Sequence, residues 1–178
     1  MTNPKDLSLP ALAKRIVGIA ALERAFLLRS GQVSHRYFDK YRFEGDPMVL
    51  RHLAKAMGAM LPPDTEIIAG LEMGGIPLVT AISLETGMPA AFIRKQAKDY
   101  GTCRAIEGQD IAGRNVTFIE DVITTGGAVA DAYRMARAEE ANVLAVVCAI
   151  WRGQDAPAIQ GVADLPVRPV FTAADLEA

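Results

Sequence analysis

Residues 116–129 constrain the fold of this chain more than any other stretch. Four residues of buried-strand character come first, followed by Glu120 and Asp121, the small-residue loop 124–127 and a helical pattern that begins at Ala128. A helix N-terminus has unpaired N–H groups and a partial positive charge, and glycines let the backbone approach an anion. This order predicts a phosphate-binding turn beside hydroxyl-binding carboxylates; an ordinary strand-to-helix turn is the alternative.

The composition favours one globular domain. The 178 residues are 51% apolar, and a chain of this length can bury a substantial core. A net charge of −2 gives no basic surface for nucleic acid, and the longest apolar run, residues 143–151, is too short to span a bilayer. The N-terminus lacks a signal-peptide pattern, and neither Cys103 nor Cys148 has metal-ligand spacing. We therefore expect a cytoplasmic protein that binds neither nucleic acid nor membrane.

The rest of the chain alternates apolar strands with helical patterns. Strands are predicted at 25–28, 67–71, 90–93, 116–119, 143–150 and 167–171, with a strand or extended hairpin at 35–43, and helices at 9–21, 48–60, 76–86 and 128–141. Continuous apolar strands separated by helices predict an α/β fold, a parallel sheet with helices on both faces. We expect a single domain over residues 1–178, with a small N-terminal subdomain at 1–45, termed the hood, and a core at 46–178.

Ligands bind at the carboxyl ends of the strands in such a sheet. Four segments of unusual composition fall there: 72–75, 94–113, 120–127 and 151–153. Gly74 and Gly75 precede a helix and so offer a second backbone turn for an anion. Two such turns in adjacent strand–helix units predict a ligand with two separate phosphate groups.

Segment 94–113 is long, polar and basic. Its first part carries four cations, Arg94, Lys95, Lys98 and Arg104, against the single anion Asp99. Connections of this length without secondary structure are uncommon and are often lids. A flexible basic lid over the phosphate-binding face would neutralise a departing diphosphate, whereas a solvated basic loop is the alternative.

Two roles are open to Glu120 and Asp121. Adjacent carboxylates coordinate Mg²⁺ or accept hydrogen bonds from vicinal hydroxyl groups. Their position just before the phosphate loop favours the hydroxyls of a ribose whose 5′-phosphate lies in that loop. General acid or base work is less favoured, because no neighbour in the sequence obviously raises a carboxylate pKa.

Residues 120–128 resemble the phosphoribosyl diphosphate (PRPP) signature of the type I phosphoribosyltransferases. Three further stretches resemble the orotate phosphoribosyltransferase family within that group: 26–34 (FLLRSGQVS), 74–77 (GGIP) and 94–101 (RKQAKDYG) with 106–108 (IEG). The resemblance extends over residues 22–153. It implies the type I fold and transfer of ribose 5-phosphate from PRPP to N1 of orotate, giving orotidine 5′-monophosphate and diphosphate in pyrimidine biosynthesis.

The resemblance also implies roles for the candidate residues. Glu120 and Asp121 would hold the ribose 2′- and 3′-hydroxyls, and Arg152 would bind the orotate carboxylate, which suits its bidentate guanidinium. The 5′-phosphate would lie in Thr124, Thr125, Gly126, Gly127 and Ala128, which Val122 and Ile123 precede in the same substrate-binding stretch. The diphosphate would contact Arg94, Lys95, Lys98 and Tyr100, of which Arg94, Lys98 and Tyr100 are the catalytic candidates. Substrate binding would also involve Arg29, Gly74 and Gly75, with Tyr37 and Phe38 either covering the base or packing under the hood.

The same resemblance implies a cofactor and a partner. Mg²⁺ would be held mainly by PRPP, with Glu120 or Asp121 as a further contact and no dedicated protein metal site. Part of the lid would reach the neighbouring subunit's site, which implies a homodimer with shared active sites. A phosphoribosyltransferase for another base, and a regulatory protein that binds PRPP without turnover, are the alternatives.

The sequence departs from the family pattern at several positions. Tyr100 stands where many members have histidine, Gly74 where some have lysine, Ala128 where serine is usual and His35 where proline is usual, while Arg29 replaces a lysine. Tyr100 can donate a hydrogen bond but is not a cation, and Gly74 leaves backbone N–H groups to contact phosphate. We expect these departures to affect rate and affinity more than the type of reaction.

Overall fold

The computed structural model describes residues 7–27, 31, 33–95 and 105–177. In chain order the elements are α1 (Leu9–Ala20), β1 (Ala21–Leu27), β2 (Val33–Phe38), α2 (Lys40–Glu44), α3 (Pro47–Gly58), β3 (Ile67–Leu71), α4 (Gly75–Thr86), β4 (Ala90–Ile93), β5 (Ile106–Gly108), β6 (Asn115–Ile123), α5 (Gly127–Ala138), β7 (Asn142–Trp151), β8 (Val167–Thr172) and α6 (Ala173–Glu177). Arg29, Lys98, Tyr100 and Cys103 lie outside the described residues, as does the middle of the predicted lid.

A six-stranded sheet in the order β5-β4-β3-β6-β7-β8 forms the centre of the fold. All neighbouring strands are parallel except β5, which is antiparallel to β4. Buried side chains of α5 pack on one face of the sheet, and those of α1, α3 and α4 pack on the other. The predicted α/β class, a parallel sheet covered by helices on both faces, is confirmed. No helix within the described ranges has the length and apolar character needed to cross a membrane.

Two helices begin where the sequence predicts them. The Asp46 carboxylate accepts hydrogen bonds from the backbone N–H groups of Met48 and Val49 at 3.0 and 2.9 Å, and Pro47 takes the first helical position of α3. Ser8 caps α1 in the same way, through the N–H of Ala11. These caps fix the two helices that cover the sheet beside the hood strands.

The predicted strand at 35–43 is only partly correct. Strand β2 ends at Phe38, and residues 40–44 form the short helix α2. Phe43 and Glu44 are adjacent and both buried, which a strand cannot achieve on one face because its successive side chains point to opposite sides. The helical turn also places Lys40 and Glu44, four residues apart, on one face.

Two further boundaries differ from the sequence prediction. Residues 106–108, expected to be part of the lid, form β5, which pairs with β4. Strand β6 is nine residues long and continues through Glu120 and Asp121 as far as Ile123, where it pairs with Trp151 of β7. The two acids are therefore strand residues, held by the sheet, and the loop expected to begin at residue 120 begins after Ile123.

Candidate active site

The two predicted phosphate turns lie side by side at one edge of the sheet. Strands β3 and β6 are parallel neighbours, so the turn after β3, residues 72–75, faces the turn after β6, residues 124–127. A cavity of about 260 Å³ lies between the two turns. Its lining combines residues 122–129 with four charged side chains, Lys40, Glu72, Lys95 and Glu120.

Gly74 and Gly75 are required by the acid pair that packs against them. A β-carbon at position 74 would overlap the carboxylate of Asp121, and one at position 75 would collide with the carbonyl oxygen of Ile119 and lie 3.2 Å from Oε2 of Glu120. Any larger residue would displace a carboxylate or the strand backbone. The two glycines therefore let the turn at residues 72–75, termed the first turn, approach the end of β6 closely.

Glu120 and Asp121 have different environments although they are adjacent. Glu120 keeps 7% of its surface exposed and lines the cavity, whereas Asp121 is fully buried. Burial raises the pKa of Glu120 well above its usual value, and the neighbouring charge of Asp121 raises it further. Of the pair, Glu120 is the side chain placed to meet a ligand in this cavity.

Asp121 belongs to a buried network with two residues of α2. The Lys40 ammonium lies 2.7 Å from Asp121 Oδ2, and the Glu44 carboxyl shares a hydrogen bond with Asp121. Burial and this hydrogen bond raise the pKa of Glu44 to about 9. Burial alone would also raise the pKa of Asp121, but the hydrogen bonds from Glu44 and Lys40 outweigh it, and the pKa is lowered. The proton therefore resides on Glu44, and Asp121 is ionised.

Sequence reasoning missed Lys40 and Glu44 because Lys40 fell inside the segment predicted as a strand, 35–43, and Glu44 came directly after it. Their four-residue spacing, which places two side chains on one helix face, was the signal that could have found them. Residues 41–43 hide this spacing, because the aromatic residues at positions 41 and 43 also fit a strand pattern.

The turn after β6 leads directly into α5. Gly126 adopts a positive φ of 76°, a left-handed conformation that favours glycine, and α5 begins at the next residue. No side-chain hydrogen bond caps this N-terminus, because the N-cap residue Gly126 has no side chain. The first N–H groups of α5 are therefore available to an anion bound in the turn. Thr124, Thr125, Gly127 and Ala128 all line the cavity there. This geometry suits a phosphate group.

A second group of candidate residues lies under the hood, at the end of β7. Arg152 follows β7, its backbone N–H donates to the carbonyl of Ile123 at 2.8 Å, and its guanidinium carbon lies 5.4 Å from the centre of the Phe38 ring. Arg152, Tyr37 and Phe38 line a cavity of about 530 Å³. Tyr37 is 45% exposed, and its ring lies 5.1 Å from that of Phe26. The lining also includes the Glu177 carboxylate, so the part of the cavity that suits a flat anionic ring is the one where Arg152 lies beside the aromatic surface.

Trp151 is the last residue of β7 and pairs with Ile123 at the end of β6. Its indole N–H donates to the carbonyl oxygen of Asp155 at 3.0 Å, and the ring packs so closely on Gly153 that a β-carbon there would overlap it. Trp151 also lines a cavity of about 270 Å³ with Thr124 and Thr125 of the phosphate turn. Trp151 is 5% exposed and directly precedes Arg152 in the sequence.

Arg94 and Lys95 are the two candidate lid cations that the structure describes. The backbone N–H of Arg94 donates to Ala105 at 2.8 Å, which joins the two described ends of the lid. Arg94 Nε is buried and has no hydrogen-bond partner in the described part of the chain. Lys95 is exposed and lines the cavity between the two phosphate turns. Both cations therefore lie beside the first turn.

Comparisons with known proteins give the same fold and chemistry. The chain is 52% identical over 167 residues to an orotate phosphoribosyltransferase from Nocardioides sp., covering 94% of this chain and 93% of the relative. It is 39% identical over 151 residues to one from Natronomonas pharaonis, covering 85% and 86%. The orotate phosphoribosyltransferase of Mycobacterium tuberculosis, solved with Fe(III) dicitrate, superposes with a TM-score of 0.85 at 28% identity, covering 96% and 99%. No protein-family profile matches the chain.

The parallel sheet, the paired turns and the acid pair at the end of β6 define a type I phosphoribosyltransferase fold. An adenine phosphoribosyltransferase from Leishmania donovani shares this fold, with a TM-score of 0.69 at 17% identity. The sequence relatives narrow the class further. The chain belongs to the orotate phosphoribosyltransferase family, whose members are pentosyltransferases.

Proposed function

We propose that this protein transfers ribose 5-phosphate from PRPP to N1 of orotate, releasing diphosphate and forming orotidine 5′-monophosphate in pyrimidine biosynthesis. The observation that supports this most is that a phosphate turn and an arginine–aromatic cavity lie at the ends of adjacent strands, β6 and β7. The first suits the ribose 5-phosphate, and the second suits a planar base with a carboxylate. The bond between C1′ and the diphosphate oxygen breaks as the N1–C1′ bond forms, and the proton of N1 is released to the departing diphosphate or to water.

The proposed roles follow from these positions. The turn at 124–128 binds the 5′-phosphate through N–H groups and the two threonines, and Glu120 accepts hydrogen bonds from the ribose hydroxyls. Arg152 pairs with the orotate carboxylate while Phe38 covers the ring. Arg94 and Lys95 neutralise charge on the diphosphate as it departs. Asp121 acts indirectly, by holding Lys40 and the first turn in place.

Mg²⁺ completes the proposal as a cofactor that arrives with PRPP. Bound to the diphosphate, it neutralises charge on the leaving group. The described residues hold no group of three metal-ligating side chains. Hard oxygen donors are nevertheless present in Glu120 and Glu72, which line the cavity, whereas Lys40 and Glu44 occupy the Asp121 carboxylate. These residues fit a metal carried mainly by substrate phosphates, with Glu120 as the protein contact.

The proposal also includes a homodimer in the cytoplasm, with Lys98 and Tyr100 of the lid acting in the neighbouring subunit's site. Lys98→Ala should lower kcat strongly without changing thermal unfolding. Mixing Lys98→Ala subunits with Glu120→Gln subunits should then restore roughly a quarter of wild-type activity, because half of the dimers are mixed and each has one intact site. An absence of recovery in verified mixed dimers would show that each subunit works alone.

A turnover assay tests the proposed reaction. The protein is incubated with PRPP, Mg²⁺ and, in turn, orotate, uracil, adenine and guanine, and nucleotide formation is measured. We expect product with orotate and little with bases that lack a carboxylate, because Arg152 would lose its partner. Product with another base instead of orotate would assign a different base specificity. PRPP binding without any product would identify a regulatory protein.

A further inference from the structure

We propose that Lys40 is a PRPP-binding residue, held in the phosphate cavity by Asp121 and supplying the cation that the first turn lacks. The inference rests on the proposed function, since PRPP is the ligand. Lys40 belongs to α2, a helix that carries none of the family's signature stretches noted in the sequence. Its side chain is 32% exposed and lines the cavity between the two turns.

The Asp121 carboxylate fills the space beside Gly74 of the first turn. Gly74 has no side chain because the Asp121 carboxylate occupies the position that a β-carbon would take. Lys40 approaches that same carboxylate from α2, with its ammonium 2.7 Å from Oδ2. A positive charge therefore lies beside the backbone turn, although the turn itself contributes none.

The charge balance of the cavity depends on Lys40. Glu72 and Glu120 line it, and Asp121 lies directly behind it, so three carboxyl groups surround the place where a polyanion would bind. Lys95 and Lys40 are the two cations of the described lining. Without Lys40, Lys95 would be the one cation of the described lining left to balance these carboxyl groups and the charges of a bound polyanion.

The ammonium group of Lys40 is positively charged and is held in position by Asp121. Burial lowers the pKa of Lys40, but the hydrogen bond to Asp121 and the charges of Asp121 and Glu120 outweigh burial and raise it. Glu44, on the next turn of α2, hydrogen-bonds the same carboxylate. Lys40 is thus a charged, preorganised group whose remaining N–H donors are available to an anionic oxygen.

The test separates ligand binding from structural support. Lys40→Gln, Lys40→Arg and the control Arg42→Gln, which removes one exposed charge from the same helix, are compared with the wild type. We expect Lys40→Gln to weaken PRPP binding by about 10- to 100-fold and to raise the KM for PRPP while the KM for orotate is unchanged, as for loss of a charged hydrogen bond. Lys40→Arg should recover most of the affinity, and Arg42→Gln should match the wild type.

A second measurement uses the wild-type protein, so that a misfolded variant cannot obscure the result. Acetylation of surface lysines is followed by mass spectrometry with and without PRPP and Mg²⁺. We expect PRPP to protect Lys40 and to leave Lys14, on the exposed side of α1, unprotected. Protection of neither lysine in a protein that binds PRPP overturns the inference.

The outcomes distinguish this inference from the proposed function. A wild type that turns over orotate, together with a Lys40→Gln variant that keeps its PRPP affinity, overturns the role of Lys40 alone, even if the variant unfolds at a lower temperature. A wild type that neither binds PRPP nor forms product overturns both proposals.

Discussion

The phosphate end of the site is built differently from the base end. At the phosphate end, Gly74 and Gly75 pack so closely against the acid pair and the end of β6 that there is no room for a β-carbon at either position. At the base end, the exposed Tyr37 and Arg152 and the half-buried Phe38 border an open cavity of about 530 Å³. The first region therefore depends on close packing, whereas the second depends on individual side chains that can be replaced one at a time.

The largest expected effect is at the phosphate end. Gly75→Ala should destabilise the fold by about 1–3 kcal/mol, because the added carbon meets the backbone of β6. It should also lower kcat/KM by more than about 100-fold, because displaced acids misplace the ribose. Chemical denaturation and steady-state kinetics provide the two measurements.

Gly18→Ala in α1 is the matched control, since a β-carbon at Gly18 meets nothing within 4 Å. It should stabilise the protein by about 0.5–1 kcal/mol and leave activity unchanged. If Gly75→Ala behaved like Gly18→Ala, the phosphate end would not be the tightly packed region described here.

Arg152→Gln should have the largest effect among changes at the base end. It removes the proposed partner of the orotate carboxylate and should raise the KM for orotate about 10- to 100-fold, with thermal unfolding and PRPP affinity unchanged. Arg168→Gln provides a contrast, because Arg168 donates to the carbonyl oxygen of Met60 at 2.7 Å and contacts neither cavity. An equal rise in both substrates' KM values would contradict the assignment of Arg152 to the base.

Glu44→Gln tests the buried network through pH. The pKa of Glu44 in the folded chain, about 9, lies above its usual value, so the folded state keeps a proton that the unfolded chain releases. This contribution to stability is full at low pH and is lost as pH rises towards 9. Between pH 6 and 8 the wild type should lose about 1–3 kcal/mol more than Glu44→Gln, which mimics the protonated form.

Denaturant unfolding at a series of pH values measures this difference. Glu85→Gln, on an exposed position of α4, should keep the pH dependence of the wild type. Parallel stability curves for the wild type and Glu44→Gln would mean that Glu44 is ionised in the folded protein.

The smallest effect is expected for Phe38→Leu. It replaces an aromatic ring beside Arg152 with an aliphatic side chain and should raise the KM for orotate about two- to fivefold, the range of an exposed cation–π contact. Unfolding should change only slightly, because Phe38 is partly buried and also contacts Phe43. A loss as large as that of Arg152→Gln would show that the base end is as intolerant as the phosphate end.

The two regions also differ in how well the sequence predicts them. The phosphate turn is a contiguous motif, so strand, acids, glycines and helix could be read in order, and β6, α5 and the sheet are confirmed. The burial of Asp121 could not be read, because it depends on Lys40, Glu44 and Gly74, which come from two other segments. At the base end, Arg152 and Phe38 are 114 positions apart by their residue numbers and are brought together only by folding. Family resemblance, not local pattern, singled them out.

The position of Trp151 has a practical consequence. The chain contains one tryptophan, which lines a cavity with Thr124 and Thr125 of the phosphate turn and directly precedes Arg152 in the sequence. When excitation is chosen to exclude the four tyrosines, its fluorescence is an intrinsic probe of this part of the chain. Titrations with PRPP or orotate can be followed by emission intensity without attaching a dye, and the order in which the two ligands bind can be read directly from stopped-flow traces.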